Sequence, residues 1–367
     1  MTLLADLDTP ALVFELDVIE RNIDEMAKVA REAGVRLRPH TKTHKSPLLA
    51  AMQVAAGAQG ITVAKLGEAE VMIEAGLDDV LIAYPLVGEH KLRRLRALLE
   101  RAAVSVSLDA VEVAEGIGAV GIDLGRPVPV LVEVDTGHHR IGLPPGAASV
   151  ALAIAIARVP GIEVIGLLTH AGHAYQAADP AELQRIAERE ALDLIETVEG
   201  CREEGLELRE VSIGSTPTAR IGARVDGVTE IRPGTYIFND VQQMRLGITP
   251  ESACGARILT TVVARPTAER FLIDAGSKSF SSDGGNGPPF PGRGVVAGRP
   301  NLVIDFMTEE HGVGHLTGDA ASLSIGERLE VIPLHVCSAV NLFDIAYGAR
   351  DGLMERTIPI AARGRSQ

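Results

Sequence analysis

The chain alternates short apolar segments with amphipathic segments eight times between Val35 and Phe238, and this alternation limits the possible folds more than any other feature. The apolar segments are rich in β-branched residues and are apolar at consecutive positions, which is typical of parallel strands covered by helices. Eight such repeats predict a (β/α)8 barrel of the TIM type, with a doubly wound open sheet as the alternative. The predicted strands are Val35–His40, Gly60–Ala64, Asp79–Tyr84, Val104–Asp109, Val128–Asp135, Glu163–Ala171, Leu208–Thr216 and Glu230–Phe238. The predicted helices include Asp17–Ala33, Gly88–Arg101, Ala147–Arg158 and Pro180–Glu204.

After Leu246 the pattern changes to strands that are joined by turns, without clear helices between them. The segment Ser281–Pro300 is rich in glycine and proline and predicts a long surface loop. We therefore expect a barrel domain over residues 17–246 and a mainly antiparallel β domain over residues 247–367. The extended segment Thr9–Leu16, within residues 1–16, is expected to pair with the second domain. The strands predicted there are Ala256–Arg265, Arg270–Asp274, Leu302–Phe306 and Arg328–His335.

Composition excludes several classes of function. The 367 residues are 46% hydrophobic and 23% charged, as in an ordinary soluble globular protein. The net charge of −14 and the absence of a basic stripe argue against a nucleic-acid partner. No apolar run reaches the length of about 18 residues that a membrane-spanning helix needs. No export signal is recognisable at the N-terminus, and three widely spaced cysteines argue against disulfides, so we expect a cytoplasmic protein without a membrane partner.

Lysine is scarce in this chain, and one lysine follows the first predicted strand. Barrel enzymes place their active sites at the carboxyl ends of the strands, and Lys42 falls at such an end. Lysine, unlike arginine, loses its proton at modest cost and forms an imine with a carbonyl compound. Lys42 therefore makes pyridoxal phosphate chemistry the first hypothesis, while the rival Lys278 is assigned an electrostatic or ion-pairing role. The six lysines are Lys28, Lys42, Lys45, Lys65, Lys91 and Lys278.

Polar residues also follow most of the other predicted strands. Such side chains are costly to bury at strand ends unless a ligand or each other satisfies them. Gly214-Ser215-Thr216 follows the seventh strand and Arg232-Pro233-Gly234 the eighth, where barrel enzymes often bind a phosphate group. A plain turn is the alternative for the Gly-Ser-Thr run. The polar strand-end segments are Tyr84, Asp109, Asp135–Arg140, Thr169–Tyr175, Gly214–Thr218 and Arg232–Tyr236.

Histidines supply the other candidate ligands. His335 and Cys337 are two residues apart in a predicted strand, so their side chains would share one face and could hold a cation such as zinc. The alternative is a buried cysteine beside a hydrogen-bonded histidine. His40 and His44 would share a face with Lys42 if the first strand extends that far, and could bond a cofactor ring or each other. His170 and His173 are expected in the barrel mouth or as ordinary loop residues.

These motifs resemble the fold-type III pyridoxal-phosphate enzymes, and most of all the D-threonine aldolase and D-serine dehydratase family, which are relatives of alanine racemase. The resemblance covers almost the whole chain. It implies that Lys42 holds pyridoxal phosphate, that Arg140 bonds the phenolic oxygen of the cofactor, and that Tyr175 lines the pocket. It further implies that His335 and Cys337 bind a metal. The implied phosphate ligands are Gly214, Ser215, Thr216 and Gly234, with Thr235 or Tyr236. The segments that carry the resemblance are Leu7–Leu12, Arg38–Lys45, Arg232–Tyr236, His335–Cys337 and Val340–Leu342.

The resemblance implies a lyase that acts on small D-3-hydroxy amino acids with a divalent metal, zinc ahead of manganese or magnesium. The His-x-Cys pair and the segment Thr169–Tyr175 favour a dehydratase that converts D-serine or D-threonine to a 2-keto acid and ammonia. The resemblance supports a D-threonine aldolase, which releases glycine and an aldehyde, almost as well as the dehydratase. A 3-hydroxyaspartate substrate is a further alternative. A racemase and a non-catalytic pyridoxal-phosphate-binding protein are also considered. Family members are generally dimers, so we expect a homodimer whose second domain completes the partner's pocket.

Overall fold

The computed structural model describes residues 2–283, 290, 292–317 and 323–367. The strands are β1 (Thr2–Leu3), β2 (Ala11–Glu15), β3 (Arg36–Leu37), β4 (Ile61–Val63), β5 (Asp79–Ile82), β6 (Ala103–Leu108), β7 (Val128–Val134), β8 (Ile162–Thr169), β9 (Glu210–Ile213), β10 (Glu230–Ile231), β11 (Ala256–Ala264), β12 (Arg270–Ile273), β13 (Gly294–Val296), β14 (Leu302–Met307), β15 (Gly312–Leu316), β16 (Arg328–Pro333), β17 (Ile345–Arg350) and β18 (Leu353–Pro359). The α-helices are α1 (Leu16–Ala33), α2 (Pro47–Ala55), α3 (Leu66–Glu74), α4 (Glu89–Leu99), α5 (Val111–Leu124), α6 (Ala147–Ala157), α7 (Pro180–Glu203), α8 (Thr216–Gly222), α9 (Val241–Arg245), α10 (Ser277–Phe280) and α11 (Val336–Val340). Within these described residues, no helix is both long and apolar enough to cross a bilayer.

The chain divides into two units, which we call the barrel unit and the β unit. The barrel unit consists of Asp24–Lys42, Pro47–Gly234 and Gly364–Gln367. The β unit consists of Met1–Ile23, Thr43–Ser46 and Thr235–Arg363.

Eight parallel strands of the barrel unit form one sheet that closes on itself. The strand order is β3-β10-β9-β8-β7-β6-β5-β4, and the two end strands meet through a parallel bridge between His40 and Thr62. The Thr62 N–H also donates to the Pro39 carbonyl at 2.8 Å. The predicted (β/α)8 barrel is therefore confirmed, because an open doubly wound sheet would leave these two edges apart.

All eight barrel strands end earlier than predicted, and proline explains the early endings of the first and the eighth. The first strand stops at Leu37 and the eighth at Ile231, and short 3-10 helices follow at Thr41–Thr43 and Thr235–Ile237. Pro39 and Pro233 lack a backbone N–H and cannot continue a hydrogen-bonded ladder. The first strand thus does not extend far enough for His40, Lys42 and His44 to share one of its faces.

Arg38 and Glu230, which are both buried, pair with each other in the barrel unit. The Arg38 guanidinium donates to Glu230 at 2.8 Å and to Asp79 at 2.6 Å. The Ser212 hydroxyl donates to the second oxygen of Glu230 at 2.6 Å. Burial alone would raise the pKa of Glu230, but the Arg38 charge and these hydrogen bonds outweigh it and hold the pKa below its ordinary value.

The strands of the β unit form a mainly antiparallel sheet of ten strands, in the order β1-β18-β17-β2-β11-β12-β15-β14-β13-β16. Strand β11 also pairs with β16, so the six strands from β11 to β16 close into a small barrel. Strand β2 pairs antiparallel with β11, as we expected of the extended segment Thr9–Leu16. The predicted loop Ser281–Pro300 contains β13, and residues 284–289 and 291 of it lie outside the described residues. One apolar cluster of this unit comprises Val241, Met244, Cys254, Val295, Ile332 and Leu334.

The buried ion pair between Arg38 and Glu230 yields a stability prediction. Replacing Arg38 with methionine leaves the Glu230 carboxylate buried without its main partner, so we expect the free energy of unfolding at pH 7 to fall by about 3–5 kcal/mol. Because the folded-state pKa of Glu230 is lowered, its pairing stabilises the wild type fully above the unfolded-state pKa of about 4.3 and is lost as the pH falls through the folded-state value. Urea denaturation followed by circular dichroism, at roughly pH 3 to 7, measures the free energy of unfolding of both proteins. The same series shows how the contribution of Glu230 depends on pH.

Arg93 provides the matched control for this substitution, because it pairs with Glu89 on the exposed surface of α4. Replacing Arg93 with methionine should change the free energy of unfolding by less than about 0.5 kcal/mol. Equal effects of the two substitutions would contradict the structural role given to Arg38.

Candidate active site

Lys42 lies at the carboxyl end of the first barrel strand, as predicted. It is part of the 3-10 helix Thr41–Thr43 and is half-buried. The Thr41 hydroxyl donates to the Thr62 carbonyl at 3.1 Å, which ties this turn to the end of β4. On the other side, the His40 N–H donates to the Pro233 carbonyl at 3.0 Å, beyond the end of β10. Lys42 is therefore held between the ends of two neighbouring strands.

His40 is a neutral imidazole with a defined tautomer. The Lys42 backbone N–H donates to His40 Nδ1 at 3.4 Å, so Nδ1 accepts and the ring proton lies on Nε2. The ring keeps some accessible surface, but the protein surrounds it on most sides. This desolvation, followed by the positive charges of Lys42 and Arg232, lowers the pKa of His40 well below its ordinary value.

His170, after β8, is neutral for similar reasons but has the opposite tautomer. Its Nδ1 bonds the Gly214 carbonyl, which can only accept, so Nδ1 carries the proton. Desolvation lowers the pKa of His170 well below its ordinary value, and the charges of Lys42 and Arg140 lower it further. His170 therefore lies in the barrel mouth with Nε2 as an acceptor, while His173 lies in the 3-10 helix after β8.

The residues predicted to bind phosphate come together at the ends of β9 and β10. Ser215 precedes the first turn of α8, and its hydroxyl lies 3.2 Å from that of Thr218. The Gly234 N–H donates to the Thr216 hydroxyl at 3.2 Å, which joins the two loops. At Gly214 a Cβ atom would lie 3.0 Å from an Arg232 nitrogen, so a side chain there would displace the guanidinium.

Thr235 and Tyr236 follow Gly234 and belong to the β unit. Both are buried, with 6% and 3% of their surface exposed. They form the 3-10 helix Thr235–Ile237 rather than the end of a strand.

Arg140 and Tyr175 lie in the loops after β7 and β8. The Arg140 guanidinium donates to Glu133 at 3.2 Å and is half-exposed. Its charge contributes to the lowered pKa values of both His40 and His170, which places it at the same end of the barrel. Tyr175 is half-buried in the 3-10 helix Gly172–Gln176. Asp109 lies at this edge too, where it accepts the Gly142 N–H at 3.1 Å.

Glu190 is a site residue that we did not predict. It lies on α7, is 1% exposed, and accepts the backbone N–H groups of Ala171 at 3.0 Å and Gly214 at 3.4 Å. Burial raises the pKa of Glu190. The carboxyl thus joins the loop that carries His170 to the loop that carries Ser215. A sequence signal exists, because Leu183, Ala187, Glu190 and Leu194 follow helical spacing and place Glu190 on the buried face.

Arg232 is a second missed residue, although it is part of a quoted motif. Its guanidinium is buried and donates to the Ser212 hydroxyl at 2.5 Å and the Thr169 carbonyl at 2.6 Å. Burial lowers the pKa of Arg232, and the surrounding carboxylates partly offset this. Arg140 and Arg232 therefore bring positive charge to the barrel mouth, close to neutral imidazoles.

In the β unit, His335 and Cys337 are in contact, but not for the predicted reason. Strand β16 ends at Pro333, His335 caps α11, and Cys337 lies within that helix. The expectation that both project from one face of a strand is therefore wrong, and the first helical turn brings the side chains together instead. The Asp240 carboxylate accepts the Val336 N–H at 3.0 Å and thereby fixes this turn.

The surroundings of His335 suit a metal ligand. Its Nδ1 bonds Asp283 at 2.7 Å, and Ser338 donates to the same carboxylate oxygen at 2.5 Å. Burial lowers the pKa of His335, but the hydrogen bond and charge of Cys337 and the nearby carboxylates outweigh it and raise the pKa to about 9. An imidazole whose Nδ1 is held by a carboxylate presents Nε2 to a cation, and a thiolate is the usual second donor. No group of three or more potential metal-ligating His, Cys, Asp or Glu side chains occurs in the part of the chain that the structure describes.

Lys278, the rival candidate, pairs with Glu310 at 2.5 Å on the exposed surface of the β unit. The ion-pairing role predicted for it is confirmed.

Comparison with known proteins identifies the family. A family profile described as alanine racemase, N-terminal domain, matches residues 14–242, and a serine dehydratase domain profile matches residues 255–349. D-threo-3-hydroxyaspartate dehydratase from Delftia sp. strain HT23 is 38% identical over 91% of this chain and 92% of that protein. D-threonine aldolase from Arthrobacter sp. is 33% identical over 99% of this chain and 95% of that protein. D-serine dehydratase from Dictyostelium discoideum is 27% identical over 92% of each.

Solved structures agree with this assignment. D-threonine aldolase from Filomicrobium marinum has a TM-score of 0.92 and 33% identity, covering 99% of this chain and 98% of that chain. A cysteine-to-alanine variant of D-threo-3-hydroxyaspartate dehydratase, solved in a metal-free form, has a TM-score of 0.88 and 35% identity, covering 98% of this chain and 99% of that chain. The resemblance inferred from the motifs is thus confirmed: the chain belongs to the alanine racemase-like family of D-threo-3-hydroxyaspartate dehydratase, D-threonine aldolase and D-serine dehydratase.

Proposed function

We propose that the protein is a pyridoxal-phosphate- and metal-dependent lyase that dehydrates D-3-hydroxy amino acids to a 2-keto acid and ammonia. The arrangement of Lys42 beside His40, His170 and the Ser215–Thr216–Gly234 loops at one end of the barrel carries this proposal. Family membership supports the lyase class, and the relative with 38% identity is a dehydratase. Retro-aldol cleavage to glycine and an aldehyde is the second candidate, because the Arthrobacter relative of nearly equal coverage is an aldolase.

The residues of the barrel mouth fit pyridoxal phosphate. Ser215, Thr216 and Gly234 offer hydroxyl and backbone N–H donors to a phosphate group, and Lys42 offers an amine to the aldehyde carbon. Arg140 and Arg232 supply positive charge for an anionic cofactor. Pyridoxal phosphate, when bound, supplies an electron sink for the negative charge that develops at Cα of the substrate. Tyr175, Thr235 and Tyr236 complete the proposed set of cofactor and pocket residues.

Lys42 and the two histidines divide the proton chemistry in this proposal. The Lys42 amine takes the proton from the substrate Cα. His40 and His170 stay neutral at physiological pH, so they orient groups by hydrogen bonds and do not add to the positive charge of the mouth. Glu190 is a positioning residue that keeps the loops of His170 and Ser215 in register.

His335 and Cys337 would hold the metal, with zinc expected ahead of manganese or magnesium because one donor is a thiolate. A divalent cation supplies a Lewis acid that makes the β-hydroxyl a better leaving group. Asp283 and Ser338 orient His335 for this purpose. Within the β unit the Cys337 thiol lies 3.3 Å from the hydroxyl of Thr43. The homodimer expected of the family is part of the same proposal.

Product analysis decides between the two reactions. The purified protein is incubated with D-serine, D-threonine and D-3-hydroxyaspartate, with zinc or manganese and then with chelator. A 2-keto acid and ammonia in equal amounts support dehydration, whereas glycine and an aldehyde support the aldolase. Absence of every one of these products, with cofactor and metal bound, would contradict the lyase proposal.

Replacing Lys42 with alanine should abolish covalent attachment of the cofactor, because no other amine occupies this turn. Borohydride reduction followed by mass spectrometry of peptides should find the pyridoxyl group on the Lys42 peptide of the wild type and nowhere in the variant. Lys28→Ala is the matched control, since Lys28 pairs with Glu32 on the surface. A modified peptide that contains another lysine would refute the assignment.

Replacing Cys337 with alanine should lower zinc affinity by about 100-fold while the cofactor content stays unchanged, because one of two protein donors is lost. Asp283→Asn should lower zinc affinity about 10-fold, since His335 loses the acceptor that orients it. Competition with a zinc-selective dye measures both values without any assay of activity.

The β unit offers a matched control for the metal experiment. His315 bonds Asp305 at 2.8 Å in the same manner, but without a neighbouring cysteine. His315→Ala and Asp305→Asn should leave zinc affinity unchanged. Full zinc occupancy in the Cys337→Ala variant would show that the metal assignment is wrong.

A further inference from the structure

Two threonine hydroxyls lie next to the sulfur of Cys337 and have no role in the metal site described above. Cys337 Sγ lies 3.3 Å from the Thr43 hydroxyl and 3.7 Å from the Thr235 hydroxyl. All three residues belong to the β unit. They come from three separate segments of the chain, so it is the tertiary fold of this unit that brings both hydroxyls to one sulfur.

Packing alone does not explain a hydroxyl at position 43. Thr43 is fully buried, and Cys337 is the one hydrogen-bonding partner of its hydroxyl among the residues that the structure describes. Thr235 is also buried, with 6% of its surface exposed. A buried hydroxyl costs free energy unless it keeps a partner, whereas a valine fills the same shape without this cost. The two hydroxyls therefore matter chiefly for the sulfur between them.

Metal binding sets the direction of these hydrogen bonds. As a thiol, Cys337 donates its proton to the Thr43 hydroxyl. A cysteine that binds a cation is a thiolate, which has lone pairs but no proton to donate. The hydroxyls of Thr43 and Thr235 can then turn and donate to the sulfur, because a hydroxyl proton rotates to suit its partner. Hydrogen bonds to an ionised acceptor are stronger than those between neutral groups.

We propose that Thr43 and Thr235 are positioning residues that donate hydrogen bonds to the metal-bound thiolate of Cys337, orient its sulfur and raise the affinity of the site for zinc. Asp283 serves His335 in the same way from the other side of the pair, since it holds Nδ1 of the imidazole. The inference rests on the metal site of the proposed function and extends it by two residues. A hydroxyl has one proton, so a phosphate contact of Thr235 would come from its backbone N–H.

Thr43→Val tests the first hydrogen bond, because valine keeps the shape of threonine and removes only the hydroxyl. Zinc affinity of the cofactor-loaded protein, measured by competition with a zinc-selective dye, should fall about 10-fold. Thr235→Val should lower zinc affinity by about 2- to 10-fold, since its hydrogen bond is longer. Thr43→Ser keeps the hydroxyl and should stay close to the wild type.

Thr260 provides the matched control. It is a fully buried threonine of the β unit, and its hydroxyl donates to the Leu329 carbonyl at 3.4 Å. Thr260→Val removes a buried hydroxyl that does not contact the sulfur, so zinc affinity should not change. An equal loss of zinc affinity in Thr260→Val and Thr43→Val would overturn the proposal, because the effect would then come from general destabilisation.

Cobalt(II) in place of zinc reports on the sulfur directly. A cobalt–thiolate bond gives a charge-transfer absorption band, and hydrogen bonds to the sulfur shift this band to higher energy because they stabilise its lone pairs. Thr43→Val and Thr235→Val should therefore move the band to lower energy, whereas Thr43→Ser and Thr260→Val should leave it in place. A lower zinc affinity with an unmoved band would contradict hydrogen bonding to the sulfur.

The same spectra separate this inference from the metal assignment. If the wild type binds cobalt without a sulfur band, Cys337 is not a ligand, and the metal assignment and the hydroxyl roles both fail. If the band is present but the Thr43 and Thr235 variants change neither its energy nor the zinc affinity, the metal assignment stands and this inference fails. Should Thr43→Val not fold, the band position in Thr235→Val decides.

Discussion

The position of Lys42 depends on the closure of the barrel between its first and last repeats. A parallel strand ends where its backbone can no longer donate in register, and Pro39 and Pro233 impose that ending on two neighbouring strands. The segment after β3 is held at His40. The His40 N–H donates to the Pro233 carbonyl, and His40 also forms a parallel β-bridge with Thr62. The turn that contains Lys42 and the loop that contains Gly234 follow two neighbouring strands, β3 and β10. Both therefore lie at the same end of the barrel.

Electrostatics at that end depends on burial as much as on charge. Protonated imidazoles at His40 and His170 would add to the positive charge of Lys42, Arg140 and Arg232, but desolvation keeps both imidazoles neutral. The same loss of water raises the pKa of Glu190, the carboxyl that joins two loops. Arg140 and Arg232 thus place positive charge at this end of a chain that is acidic as a whole.

The fold could be predicted because it depends on local rules. Eight apolar segments with helices between them require a covered parallel sheet, and a lysine after the first strand has few structural uses. The residues at which the strands end could not be predicted in the same way. Strands β3 and β10 have only two residues each, whereas the apolar sequence pattern of a strand continues beyond them. His335 and Cys337 were paired correctly but with the wrong local geometry, because a spacing of two residues fits both a strand and the first turn of a helix. Glu190 was missed because its partners, Ala171 and Gly214, come together only through tertiary contacts.

The buried ion pair between Arg38 and Glu230 has an evolutionary consequence. Arg38 and Ser212 both donate hydrogen bonds to Glu230. The loss of any one of the three residues leaves a buried polar group without one of its partners. An entirely apolar replacement of the set could be as stable, but each single step toward it passes through a destabilised intermediate. Sequence drift at these positions should therefore be coupled, with relatives that keep all members of the set or exchange them together.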